Sequence, residues 1–117
     1  MKFDQYTIAL LLLRPDAPAL TEAEEAALQD AHMAHLSELH SRGELLAAGP
    51  VPGEAGRELR GFAIYRCGVG RAAEFAAADP GVLAGRYRHE VHPWILPSGL
   101  LSFTPGRLPA SMAEVGQ

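Results

Sequence analysis

The sequence predicts an α+β fold of the ferredoxin-like βαββαβ type, a four-stranded antiparallel sheet with two helices on one face that dimerises through the open sheet face. Three observations carry the prediction. A long apolar stretch with strand character opens the chain; a capped helical segment follows it and stops at a glycine; and two later stretches alternate with a period of two, separated by a short alanine-rich helix. At 117 residues the chain holds one core.

In the first strand, Phe3 to Leu13, Tyr6, Ile8, Leu10 and Leu12 point one way and Thr7, Ala9, Leu11 and Leu13 the other. Both sets are apolar after Thr7, so both faces of this strand need cover. Thr21 with Glu24 three residues on forms a capping box, and Glu22, Glu24 and Glu25 suit the positive end of a helix running Thr21 to Arg42. At roughly 100° per residue, Leu28, His32, His35, Leu36 and Leu39 share one stripe, which sets two imidazoles among the core-facing residues. Gly43 stops the helix, and Leu45 to Pro50 reads as a short buried strand ending in a turn.

Residues 50–60 are rich in glycine, proline and charge, a surface connection placed to flank a pocket. Leu59 to Tyr65 alternates as a strand, with Phe62 and Ile64 on its more apolar side. Arg71 to Ala78 is a short helix closed by Asp79-Pro80, since a residue before proline avoids helical geometry, and Gly81 to Gly85 is a further turn or a short 3₁₀ piece. Tyr87 to Leu96 is the last strand, which Pro93 marks as an edge or a bulge. Residues 1–97 are therefore the folded domain, and 98–117 a C-terminal arm or partly disordered tail in which Leu100, Leu101 and Phe103 are the only residues expected to pack.

A formal charge of −4, with no basic patch, argues against nucleic acid as a partner. The single cysteine, Cys67, excludes an intrachain disulfide framework and favours a reducing, cytoplasmic setting. Ile8 to Leu13 is too short to span a membrane and is stopped by Arg14-Pro15, so no membrane association is expected. Cys67 reads as a small buried hydrophobe rather than a nucleophile. The His32 and His35 pair has the spacing of two helical metal ligands. His89 and His92, however, lie on opposite faces of a strand and do not complete a set, so neither metal nor cofactor is expected.

The run H-x-x-H-L-x-x-L-x-x-x-G-x-L-L-x-A-G-P from His32 to Pro50, then A-A-A-D-P from Ala76 to Pro80, then Y-x-x-E-V-x-P-W from Tyr87 to Trp94, resembles the YciI-like, YCII-related family of the dimeric α/β-barrel superfamily. The resemblance covers about residues 3–97. It implies a homodimer joined through the open sheet face and a catalytic pair, His32 with Asp79. At Gly81 the sequence departs from the family, which commonly has an aromatic residue after D-P. His35, Phe62 and Trp94 are the candidate substrate-binding side chains.

An imidazole exchanges protons near neutral pH, and a carboxylate accepting its second N–H fixes the tautomer. His32 and Asp79 thus suit a small cofactor-independent enzyme of isomerase, lyase or dehydrohalogenase type, acting on a small organic acid or aromatic-derived metabolite. The plainer reading makes His32 a core histidine bonded to a carbonyl and Asp79 a helix stop, in a non-catalytic module that holds a small ligand. The two separate on whether His32 and Asp79 meet beside a cleft open to solvent.

Overall fold

A computed structural model describes residues 1–104 and 106–116. The elements are β1 (Phe3–Leu13), α1 (Glu22–Ser41), β2 (Leu45–Pro50), β3 (Leu59–Tyr65), α2 (Val69–Ala77), α3 (Pro80–Leu83), β4 (Tyr87–Pro97) and α4 (Met112–Val115). The strands form one antiparallel sheet in the order β2-β3-β1-β4. This is the ferredoxin-like α+β arrangement, and β4, which holds Pro93, is an edge strand that needs no second ladder.

Thr21 and Glu24 cap α1 reciprocally, each backbone N–H donating to the other side chain at 3.1 Å. Gly43, at φ 78°, supplies the left-handed residue that turns the chain into β2. The core lies where α1 and α2 meet one sheet face: Ala9, Leu39, Leu45, Tyr65 and Ala72 are buried together, with Leu36, Phe75 and Val91 against them. Thr7, fully buried, donates its hydroxyl to the Cys67 carbonyl at 2.7 Å and ties β1 to the chain leaving β3. Among the described residues no helix is long and apolar enough to cross a membrane.

Register decides which face of β3 the helices cover. Ala9 pairs with Ala63 and Thr7 with Tyr65, so the helix-covered face carries Gly61, Ala63 and Tyr65; Phe62 and Ile64 share the open face with Leu10 and Ile8. The more apolar side of this strand faces away from the helices. A bulge interrupts the β1–β3 ladder: Leu11 pairs with Gly61 and Leu12 with Leu59, leaving Arg60 without a partner on β1.

The arm beyond β4 differs from expectation. Leu100 and Leu101 are exposed, whereas Phe103 meets Tyr6 edge-on at 5.5 Å and Leu108 packs against the core. Residues 107–116 then follow α1: the Leu108 carbonyl accepts from Ser37 Oγ at 3.3 Å and the Met112 N–H donates to Asp30 at 2.9 Å. Ser111 caps the single turn of α4, a length too short to show helical periodicity in sequence.

Candidate functional site

His32 stands on the middle of α1, and Asp79 follows α2 at the Asp-Pro step. Because Pro80 occupies the first helical position, Asp79 becomes the N-cap of α3. One oxygen, Oδ1, accepts from the Gly81 N–H at 2.8 Å; the other, Oδ2, lies 2.6 Å from His32 Nδ1. A carboxylate can only accept, so Nδ1 carries the proton and Nε2 is left as the ring nitrogen free to meet a ligand. Asp79 is 4% exposed and the His32 side chain 14%, so the pair is shielded without being sealed.

The pair borders a cleft of about 560 Å³ between α1, the β2–β3 end of the sheet and the C-terminal arm. Met33, Leu36, Ala48, Pro50, Leu108 and Pro109 make its wall largely apolar, and Arg57, Arg60, Arg86, His89 and Glu25 add polar groups. A second concavity of about 430 Å³ shares Glu25, Gln29, His32, Arg86, Tyr87 and Met112 with the first, so His32 is reached from both. Both volumes are of the size that holds a small organic molecule.

Gly81 explains part of the wall. A methyl group there would lie 2.6 Å from Cδ2 of Tyr87 and 3.4 Å from Asp79 Oδ1, so the absence of a side chain admits the Tyr87 ring beside the pair. That ring stands 6.4 Å from the imidazole. Arg86 donates to the Tyr87 hydroxyl at 3.0 Å and to Glu25 at 3.1 Å. The Tyr87 contact chiefly, and then Glu25, raise the Arg86 guanidinium above its ordinary range. Burial pushes the Tyr65 phenol up to about 12, with the charges of Asp79 and Cys67 adding to it, so Tyr65 borders the cleft as a neutral hydroxyl.

The other candidates separate. His35 does not border the cleft: its Nε2–H donates to the Phe75 carbonyl at 2.9 Å and ties α1 to α2. Trp94 packs beside Tyr6, ring centroids 6.4 Å apart, on the helix-free face. Phe62 is among the residues bordering the cleft, although the pleat points its ring to that same open face. Cys67 carries a thiol that burial, and then Glu44, push above its ordinary value, a poor setting for a nucleophile. Among the described residues no three His, Cys, Asp or Glu side chains converge as a metal site.

Sequence reasoning does not single out Arg57, Arg60, Arg86 or Tyr65 as site residues. The Gly/Pro-rich connection at 50–60 is the signal that points towards the first two. His89 Nδ1 is buried with no hydrogen-bond partner, a property that only three-dimensional placement reveals.

Against known proteins, the YCII-related domain family matches residues 8–95. Curated proteins give no match. Among solved structures, the 5-chloro-2-hydroxyhydroquinone dehydrochlorinase of Burkholderia phenoliruptrix, in complex with 2,5-dihydroxybenzoquinone, is similar at a TM-score of 0.51 and 21% identity. The similarity covers 76% of this chain and 92% of that one, and shows a common fold.

Proposed function

The chain belongs to the YCII-related domain family, and on that footing we propose that it is a small acid–base enzyme, with His32 as the proton-transfer group and Asp79 orienting it. The observation that carries the reading is the 2.6 Å contact between His32 Nδ1 and Asp79 on the wall of an open cleft, which fixes the tautomer and presents Nε2 to a ligand. A histidine bonded through one nitrogen to a buried carboxylate is the arrangement expected of a positioned base. His35, by contrast, is bonded to a backbone carbonyl in the way expected of a structural histidine.

The chemistry is proton transfer on a small organic acid or aromatic-derived metabolite. His32 Nε2 takes a proton from carbon or hydroxyl, and the electron pair left behind becomes a new double bond. In an isomerisation the imidazolium returns the proton at another carbon; in a dehydrohalogenation halide leaves the adjacent carbon and the proton passes to water. Neither course moves electrons to an external acceptor. The ring ligand of the dehydrochlorinase similar in fold supports trying hydroxylated six-membered rings first. We also propose a homodimer joined through the helix-free face, where Tyr6, Ile8, Ile64 and Trp94 lie in register.

The test is proton exchange in D₂O, followed by NMR, on hydroxylated aromatic acids and lactones preselected by thermal shift. The wild type is expected to exchange or convert at least one of them. His32→Gln and Asp79→Asn both keep side-chain size, and the second also keeps an oxygen able to cap α3. Each should lower the rate by about 10²–10⁴-fold while remaining folded. Ligands that bind the wild type with no exchange, or an unchanged rate in His32→Gln, would reject the catalytic reading in favour of a binding module.

A further inference from the structure

Arg57 and Arg60 stand at the β2–β3 end of the cleft with no carboxylate partner among the described residues, unlike Arg86, which is held by Glu25. Each is fixed by the backbone instead. Arg57 donates through Nε to the Val51 carbonyl at 2.9 Å and through Nη1 to those of Glu54 at 3.0 Å and Gly53 at 3.4 Å. Gly53 makes this possible, because a methyl group there would lie 2.6 Å from Arg57 Cδ. Arg60 is the extra residue of the β3 bulge, and its Nε donates to the Arg57 carbonyl at 2.8 Å. A bulge beside a site serves to re-aim a side chain. These bonds leave Arg57 Nη2 and both terminal nitrogens of Arg60 as donors.

Two half-buried cations held in place beside an apolar wall form a receptor for a compact anion with an apolar body. We propose that Arg57 and Arg60 are the anion-binding end of the cleft and that its ligand is a small planar carboxylate. Its charge would lie on the two guanidiniums and its ring against Met33, Leu36 and Leu108. The assignment deepens the proposed function by naming a substrate class, and rests on that reading only in taking this cleft as the substrate site.

Benzoate and its neutral methyl ester are the probes, with binding followed by amide chemical shifts in the full-length protein. Benzoate is expected to bind at least about tenfold more tightly than the ester, and more weakly as salt is raised. Arg57→Gln and Arg60→Gln should each weaken benzoate by about tenfold, leaving the ester within about twofold. Gly53→Ala should weaken benzoate in the same direction by displacing Arg57, and Arg66→Gln, an arginine outside the cleft, should change nothing. If Arg57→Gln fails to fold, Arg60→Gln and Gly53→Ala decide the matter. Equal affinity for the two probes, no benzoate binding by the wild type, or benzoate affinity indifferent to Arg60→Gln and Gly53→Ala would each overturn the assignment. Arginine-dependent benzoate binding in a protein that exchanges no protons would instead reject the acid–base reading and leave this one standing.

Discussion

Burial changes what Tyr65 is as an acid. It is 2% exposed, and desolvation, reinforced by Asp79 and Cys67, pushes its phenol up to about 12. In the unfolded chain a tyrosine ionises near pH 10, so between about pH 10 and 12 the unfolded state has released a proton that the native state still holds. Stability contributed by the neutral phenol is complete below that window and is lost as pH rises through it, on the order of 3 kcal/mol in all. Urea titrations from pH 9 upward should show this decline in the wild type and a shallower one in Tyr65→Phe; parallel curves would disprove it. Tyr65 also marks where sequence reading stops at this scale. His32 stands out as a polar residue on an apolar stripe and Asp79 as a D-P step, but it is the family resemblance, not either local signature, that pairs them. Arg60 was not legible, because a bulge is a mismatch between two strands and has no period within one.

Among the elements, α3 shows how a single turn can serve a site. Asp79 caps it and bonds His32, Pro80 starts it, and Gly81 keeps its first turn thin enough for Tyr87 to cover the pair. Gly81→Ala forces the methyl group against the Tyr87 ring, an overpacking that should cost about 1–3 kcal/mol. It should also shift the His32 imidazole resonances in NMR, and recovery of both in Gly81→Ala with Tyr87→Leu would verify the cause. The larger elements were legible with their ends nearly in place, since capping box, glycine stop and alternation are local chemistry. The helix α2 starts at Val69 rather than Arg71 because Gly68 takes the extended N-cap conformation without a side-chain cap. What the local patterns did not reveal was α4, whose place is set by Asp30 and Ser37 on α1, far away in sequence.

At the scale of the whole molecule, one sheet face is covered by α1 and α2 and the other carries Tyr6, Ile8, Ile64, Phe62 and Trp94. The proposed homodimer would bury that face, and obligate interfaces of this kind exceed about 2,000 Å² in total. Light scattering at micromolar concentration should therefore give twice the chain mass; a monomer with native circular dichroism would contradict it. The chain's only tryptophan bears on how such experiments are read. Trp94 stands beside Tyr6 on the helix-free face and is not among the residues bordering the cleft. Excited at the red edge of indole absorption, the protein should therefore report association through its own emission, while occupancy of the cleft stays optically dark. A fluorescence screen for ligands would miss true binders, and a hit that shifts the indole spectrum would be acting at the wrong face.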